Sequence, residues 1–492
     1  MSPAFHNDHV HNGDAQVAND NVATQISHSD GIPVEAPLDK QTLASKAFAN
    51  GISDVKILPR EFYEPFFSES SRRRKPNPIR GLFPLELRPG MLSLLAGKPN
   101  PSMFPITSMN ISVRSPSDPA KEEKIELPET LLAEGLQYGA TAGHPQLLNW
   151  LAGLQEYSHK RKVGEGWRVS MGAGSQDLIY KFVHSIVNKG DIVLIESPVY
   201  SGIINCVEEV EAEVVAVDTD AHGIKSSELR QILEHWPAGK PMPKFLYTVP
   251  FGCNPTGMTA TDDRRREVLE LARKYNFLVL EDDPYYYIYY GKAPRPSSYF
   301  ELELEQPEVG RVVRLDSFSK IISAGIRIGF ASGPAPILDV IDIHTSNSNL
   351  QVSTLTQAIT LSLLQSWGYD NFKLHTEQVA DFYRQKRDVF ERAMKHHLTG
   401  LVEWETPEAG MFFWFKLVLN DPSKPGEREE CSETVIRTKA LEKGVLALPG
   451  TSFLPNGGKT AYVRASFSLI ENENVDEALR RLKDTLLEAR SS

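Results

Sequence analysis

Between residues 316 and 329 the sequence reads Asp-Ser-Phe-Ser-Lys-Ile-Ile-Ser-Ala-Gly-Ile-Arg-Ile-Gly. One lysine, Lys320, sits among small hydroxyl residues, and Arg327 follows it. A lysine taken out of water gives up its proton more readily and becomes a nucleophile. Ser317, Ser319 and Arg327 are donors that suit a single phosphate group. An amine beside a phosphate cradle suits pyridoxal phosphate (PLP) held as a Schiff base. A surface Ser/Lys turn ahead of a helix has the same local pattern, so the rest of the chain has to decide.

The elements that would position this stretch follow a repeat of strand, turn and helix from about Val169. Residues 169–176 pass through Gly174, Ser175 and Gln176 into Leu178, Ile179, Phe182, Ile186 and Val187, a helical period closed by Gly190. A Gly-Ser turn at a helix N-terminus offers free backbone N–H groups and a positive dipole end to an anion. Residues 191–196 form an apolar strand that runs into Ser-Pro-Val-Tyr200. Residues 244–250 form another, ending at Cys253-Asn254-Pro255-Thr256-Gly257, and the helix after it carries Val268, Leu271, Ala272 and Tyr275 on one face. Residues 277–283 form a third strand, ending in acids and tyrosines through Tyr286. Residues 311–316 form a fourth, ending at Lys320. Near-continuous apolar strands separated by helices imply a mostly parallel α/β sheet. Ligands bind such sheets beyond the carboxyl ends of the strands, and each unusual polar group falls there.

Outside this block the pattern changes. Residues 92–97 read as a short strand ending in a Pro-rich turn, and Gly97 permits close approach of a ligand. Residues 136–143 are a small-residue loop before an amphipathic helix from Gln146 to about His159. After about Pro336 come helices over 354–367 and 376–397, then strands over 408–415, 446–450 and 460–467. Val475, Ala478, Leu479, Leu482 and Leu486 form the stripe of a final helix. These C-terminal elements make a smaller α+β domain.

A chain of 492 residues, 41% hydrophobic, can bury a large core. The net charge is -11 with both signs mixed, which argues against a dedicated nucleic-acid surface. Cys206, Cys253 and Cys431 are odd in number and far apart, with no disulfide framework and no zinc spacing; a reducing compartment fits. No apolar run approaches the roughly 18 residues needed to span a bilayer. The first lysine or arginine is Lys40, the reverse of an Arg-rich transit peptide, and no secretory apolar region is seen, so the expected location is cytoplasmic. Residues 1 to about 45 are polar and carry His6, His9, His11 and His28. They read as a disordered tail rather than a metal site, because few apolar residues repay the entropy of ordering. Arg72-Arg-Arg-Lys75 reads as a solvated basic run, with a nuclear signal as the other reading.

Asn254-Pro-Thr-Gly257, Asp283-x-x-Tyr286, Ser317-x-Ser-Lys320, Arg327 and Arg464 together resemble the fold-type I aminotransferases. Tyr138 with Gly143, the run Glu281-Asp-Asp-Pro-Tyr-Tyr286, and Tyr462-Val-Arg-Ala-Ser-Phe-Ser468 narrow the resemblance to one branch. That branch holds the kynurenine/2-aminoadipate and fungal aromatic aminotransferases, and the likeness spans about residues 70 to 490. It implies a PLP-dependent transferase of fold type I, α/β, with a mostly parallel large-domain sheet flanked by helices plus a smaller α+β domain. The expected divisions are a tail over 1–50, an arm and the start of the small domain over 51–110, a PLP-binding domain over 111–335, and linking helices with the small domain over 336–492.

The resemblance also implies roles, and each has a physical reason. Lys320 would form the Schiff base and later carry the substrate Cα proton. Asp283 would pair with the protonated ring nitrogen and keep the ring an electron acceptor; alone it would read as a turn acid. Asn254 and Tyr286 would bond the ring's phenolic oxygen, with Asn254 also a turn former before Pro255. Tyr200 would stack on the ring, a core tyrosine being its other reading. Ser175, Gln176, Ser317, Ser319 and Arg327 would hold the phosphate, and Tyr138 would reach it from a neighbouring subunit in a homodimer with shared sites. Arg464 would clamp the substrate α-carboxylate through a bidentate fork, together with Asn254. Gly97 would lie near the substrate backbone. Arg80 would meet an acidic side chain by a salt bridge or an aromatic one by stacking. Lys98 stands where relatives commonly carry an apolar residue, so the substrate mouth differs here.

The implied reaction is a ping-pong transfer of the amino group of an aromatic amino acid or 2-aminoadipate to a 2-oxo acid such as 2-oxoglutarate. The same cofactor motifs would also serve a decarboxylase, β-lyase or cyclising enzyme, or a transaminase of a specialised biosynthetic pathway. A PLP-sensing transcription regulator is a third reading, but it needs an N-terminal basic helix-turn-helix, and residues 1–70 are acidic and unpatterned. No metal, nucleic acid or membrane partner is expected.

Overall fold

The computed structural model describes residues 55–79, 82–86, 88–95, 97–420 and 431–491. The histidine-bearing tail and Arg80 lie outside the described residues. An antiparallel ribbon, β1 (Asn110–Arg114) with β2 (Glu122–Glu126), precedes the main body. Then come β3 (Trp167–Gly172), β4 (Ile192–Ser197), β5 (Glu213–Asp220), β6 (Gly223–Ile224), β7 (Phe245–Thr248), β8 (Leu278–Asp282), β9 (Val312–Ser317) and β10 (Gly329–Pro334). These eight form one sheet in the order β3-β10-β9-β8-β7-β4-β5-β6.

The middle of this sheet is parallel: β9 with β8, β8 with β7, β7 with β4 and β4 with β5. Each of β4, β7, β8 and β9 is buried along almost its whole length: all four open on apolar residues, and the charged side chains of β4, β8 and β9 are buried too. Strand β10 runs against both β3 and β9, so β3 points the same way as the parallel set. The carboxyl ends of β3, β4, β7, β8 and β9 therefore share one edge. The chain entering β10 meets that edge too, and Arg327 lies just before it.

Helices α1 (Pro145–His159), α2 (Ser175–Ile186), α3 (Ser201–Glu209), α4 (Ser226–Glu234) and α5 (Asp262–Tyr275) connect and flank the strands. Helix α2 buries Leu178, Ile179, Phe182, Val183 and Ile186, the stripe expected from its period. Phe182 is fully enclosed, so truncation to alanine would cost about 3–5 kcal/mol. Helix α5 has clear end signals. Thr261 caps its first turn by accepting from the Arg264 N–H, Asp262 and Asp263 face its positive end, and Asn276 closes it in the left-handed region.

Helix α6 (Ala335–Ser348) leads to α7 (Thr354–His397), which is broken at Gly368, where φ is 64°. Only glycine adopts that conformation without strain, which accounts for the two helices expected over this span. The smaller sheet comprises β11 (Val402–Trp404), β12 (Phe412–Leu417), β13 (Leu448–Pro449) and β14 (Tyr462–Ser466). It is antiparallel, in the order β11-β12-β14-β13, and the terminal helix α8 (Asn472–Ser491) buries Val475, Leu479, Leu482 and Leu486.

Among the described residues one expected strand is not formed. The described residues of 92–97 are irregular, with Leu92 and Leu94 exposed, because no neighbouring strand offers them a ladder. Among the described residues no helix is long and apolar enough to cross a membrane, and no group of three or more His, Cys, Asp or Glu side chains is arranged to hold a metal.

Candidate active site

The shared edge of the main sheet collects most of the residues singled out by sequence. Lys320 ends a single 3-10 turn that follows β9 directly. Its side chain is half-buried. Burial, then the positive charges of Arg327 and Arg464, hold its ammonium below the usual lysine range. Within the same turn Ser317 Oγ accepts from the Ser319 N–H at 3.2 Å. Arg327 Nη1 donates to Ser319 Oγ at 3.2 Å, and Nη2 donates to the Ala173 carbonyl at 2.7 Å. Arg327 thus spans the loop before α2 and the turn after β9.

That loop is shaped by glycine. Gly174 caps α2 with φ 95°, and a Cβ there would lie 2.3 Å from Arg327 Nη2. Ser175 and Gln176 open the helix, where unpaired backbone N–H groups favour an anion. Gln176 Nε2 donates to the Gly202 carbonyl at 3.1 Å, which ties α2 to the start of α3 beside Tyr200. A Cβ on Gly202 would sit 2.3 Å from the Tyr200 ring, so glycine makes room for that ring.

Asn254 follows β7 and is joined to Pro255 by a cis peptide bond. Its Oδ1 accepts from Arg464 Nη1 at 2.7 Å, which joins the small sheet to the large one. Arg464 lies on β14, with its guanidinium 4.5 Å from the Phe412 ring centre and 5.0 Å from that of Phe453. Aromatic packing fixes the fork, and burial holds its proton affinity below the arginine norm.

The acids and tyrosines after β8 divide between the two sides of the sheet. Asp282 lies on the face of Tyr247, whose hydroxyl donates to its Oδ2 at 2.6 Å. It is also the acid nearest in charge to Tyr200 and Tyr285, and the Ser175 hydroxyl helps to hold it ionised. Burial raises the Asp282 carboxyl to about 6. Tyr285 packs edge-on against Phe412, below Arg464.

Asp283 and Tyr286 go the other way. Asp283 Oδ2 accepts from Arg314 Nη1 at 2.7 Å, in a cluster with Asp316 and Glu281. Tyr286 donates to the Ser158 carbonyl at 3.0 Å and packs against His159, beneath Arg295 and Arg314. The expectation for Asp283 and Tyr286 is therefore corrected by one residue: Asp282 and Tyr285 share the edge with Lys320 and Arg464. For the acids the physical reason is alternation at the end of β8, since successive side chains leave opposite faces; the tyrosines lie in the turn beyond it, where Tyr285 meets Phe412 and Tyr286 meets His159. Sequence reasoning missed Asp282, Tyr285 and Tyr247. The run Glu-Asp-Asp-Pro-Tyr-Tyr contains the Asp-x-x-Tyr spacing twice, so the signal was there but ambiguous.

Gly97 and Tyr138 line a separate cavity of about 180 Å³ with Phe83, Lys98 and Leu350, and Tyr138 is half exposed. A larger cavity of about 810 Å³ lies between residues 218–222 and 403–408, beside Trp414 and Tyr462. Neither Lys320 nor Asp282 nor Arg464 lines it. At the strand-end edge, Ser175 Oγ, Gln176 Oε1, Asp282 Oδ1 and Arg464 Nε are buried without a hydrogen-bond partner. Buried polar atoms are ordinarily satisfied, so this set fits a ligand with an acidic group and a cationic N–H. PLP with a substrate carboxylate is such a ligand.

Comparison with known proteins shows the family. The model of the family "Aminotransferase class I and II" matches residues 114–482. The chain is 42% identical over 420 residues to aminotransferase tdiD of Emericella nidulans, covering 85% of this chain and 94% of that protein. It is 37% identical over 443 residues to the mitochondrial kynurenine/alpha-aminoadipate aminotransferase of Bos taurus, covering 87% and 99%. The solved structure of aminotransferase Aro8 from Candida albicans superposes with a TM-score of 0.78 at 25% identity, over 89% of this chain and all of that one. With the strand-end lysine, the Arg464–Asn254 pair and these likenesses in hand, the chain belongs to the class I and II aminotransferases, a PLP-dependent family, and is a transaminase.

Proposed function

We propose that this transaminase moves the amino group of an aromatic amino acid or 2-aminoadipate to a 2-oxo acid, with 2-oxoglutarate as the expected acceptor. The donor classes rest on relatives named as kynurenine/alpha-aminoadipate and aromatic amino acid aminotransferases. Bound PLP would supply an electrophilic carbon and a ring that accepts the electrons released at the substrate Cα.

The chain's own residues would do the rest. Ser175, Gln176, Ser317, Ser319 and Arg327 would hold the phosphate, and Tyr200 the ring face. Asn254 and Tyr285 would bond the phenolic oxygen. Asp282 would pair with the protonated ring nitrogen, in the role first expected of Asp283. Lys320 Nζ, kept neutral more often than an exposed lysine, would attack the electrophilic carbon and then carry the Cα proton. Arg464, oriented by Asn254, would grip the substrate α-carboxylate.

The observation that carries this reading is the meeting of Lys320, Asp282 and Arg464 at one sheet edge, with Asp282 Oδ1 and Arg464 Nε unpartnered. A donor panel of phenylalanine, tyrosine, kynurenine, 2-aminoadipate and lysine with 2-oxoglutarate tests it. Acceptor-dependent oxo-acid formation from the aromatic or aminoadipate donors is expected; formation without an acceptor would contradict it.

A homodimer with shared sites belongs to the same proposal. Leu92, Leu94 and Met103 are exposed in the single chain, which supports a second copy covering them. Tyr138 and Gly97 would then complete the partner's or their own site, and Arg80, outside the described residues, keeps its expected role at the substrate side chain. A cytoplasmic location is likewise proposed from composition. Several relatives are named as mitochondrial, so cell fractionation is the test.

A further inference from the structure

We infer that Tyr247 is a positioning residue for the cofactor: its phenol holds one oxygen of Asp282 and reserves the other for the cofactor's ring nitrogen. This rests on the reading of Asp282 given above, and adds a group that acts only through it.

The geometry begins with register. In the parallel pairing of β7 with β8, Tyr247 lies opposite Leu280, which shares a face with Asp282. The phenol therefore reaches along the sheet toward the end of β8, and its oxygen stands 2.6 Å from Asp282 Oδ2. Both side chains are almost completely enclosed, at 0% and 2% exposure.

The direction of the bond follows from chemistry. Burial, with the negative charges of Asp282 and Glu196 beside it, drives the phenol's pKa well above its ordinary value. It keeps its proton and donates. An ionised carboxylate can only accept. The bond therefore favours the anionic form of Asp282. The Ser175 hydroxyl adds in the same direction but makes no hydrogen bond of good geometry. Among the described residues, Tyr247 supplies the well-formed bond on this carboxylate, and Oδ1 has none.

Asp283 Oδ1 is unpartnered as well, but its carboxylate is paired with Arg314; on Asp282, which among the described residues has no cationic partner and lies at the edge with Lys320, the asymmetry points to a ligand. A buried carboxylate oxygen without a donor is costly, and a cationic N–H is the partner that relieves the cost best. A neutral acid would lose most of that interaction. The groups that bias Asp282 are Tyr247 on β7, Glu196 on β4, Asp316 and Arg314 on β9, Ser175 on α2, and Tyr200 and Tyr285 beside it. Burial, Glu196 and Asp316 oppose ionisation, while Tyr247, Ser175 and Arg314 support it. A core tyrosine satisfied for packing alone looks different. Tyr63, equally buried, donates to the backbone carbonyl of Gly310 and touches no carboxylate through its hydroxyl.

The test uses the holoenzyme, dialysed to equilibrium against graded free PLP across a range of pH. Bound cofactor is read by visible absorbance. Tyr247→Phe is expected to weaken PLP binding about tenfold at neutral pH. It should also move the pH at which affinity is lost on the acid side upward by about one unit. Tyr63→Phe, which removes a buried hydroxyl bond elsewhere, should leave both within about twofold. Should Tyr247→Phe fold poorly, 3,5-difluorotyrosine at position 247 keeps the shape and strengthens the donor. It should move the acid side downward, and no movement would overturn the inference. Tyr247→Phe binding PLP like the native protein, while Asp282→Asn binds it weakly, would overturn the role of Tyr247 and leave that of Asp282 standing. Asp282→Asn binding PLP like the native protein would overturn both.

Discussion

Asp282 and Asp283 are consecutive in the chain, yet their carboxylates belong to different networks. Asp282 accepts from Tyr247 on β7 at 2.6 Å, and Asp283 accepts from Arg314 on β9 at 2.7 Å. The first network opens on the edge that holds Lys320. The second is a sealed ion cluster that locks the end of β8 to β9. Asp283 thus helps to fix the strand register that turns Asp282 toward the site.

Asp283→Ala should therefore be a stability variant. It leaves Arg314 with Asp316 and Glu281 but removes a buried, directly bonded partner. Loss of about 3 kcal/mol is expected in urea unfolding, at the lower end for a broken buried pair because two carboxylates remain. PLP affinity of the folded variant should stay within about threefold.

Gly174→Ala tests the phosphate cradle. The new Cβ would meet Arg327 Nη2 at 2.3 Å, at a φ of 95° that side chains rarely adopt. Strain of about 1–3 kcal/mol is expected. Arg327 should be displaced from the Ala173 carbonyl, and cofactor affinity should fall at least tenfold in equilibrium dialysis. Unchanged affinity would mean that Arg327 does not need this seat.

Glu196 sets a pH dependence of stability. It is fully enclosed at the end of β4, where it accepts from Thr248 Oγ1 at 2.8 Å and the Val249 N–H at 2.7 Å, and burial raises it to about 7. Its folded value lies above its ordinary one, so the folded state binds the extra proton between roughly 4.5 and 7. Its contribution is fully present below that window and is lost as pH rises through about 7, amounting to about 3 kcal/mol. Glu196→Gln should flatten this part of the stability profile in urea unfolding measured from pH 4.5 to 7.5. An unchanged slope would assign it to other acids.

Much of this arrangement is legible in the amino-acid sequence. The strands 192–197, 278–282 and 312–317 each begin with consecutive apolar residues on both faces, and such starts occur where both faces of a parallel sheet are covered. That fixes which strand ends share an edge, and Lys320, Asn254 and Ser175 follow. The same double burial hides the facing of Asp282 and Asp283. With apolar residues on both sides, alternation leaves no mark, and the spacing to a tyrosine fits either acid. The deciding partners, Arg314 and Tyr247, are 31 and 35 residues away in sequence. The described residues of 92–97 show the converse: an apolar run that suggests a strand stays irregular, with Leu92 and Leu94 exposed, because strand propensity needs a neighbour to pair with.

The most direct measurement compares Asp282→Ala with Asp283→Ala in a transamination assay, with phenylalanine, kynurenine or 2-aminoadipate as donor, 2-oxoglutarate as acceptor and PLP saturating. The expected result is a loss of at least about a hundredfold in kcat for Asp282→Ala, as befits loss of charge stabilisation at the reacting centre, and less than about tenfold for folded Asp283→Ala. The opposite order, with Asp282→Ala active and Asp283→Ala dead though folded, would contradict the assignment of the site.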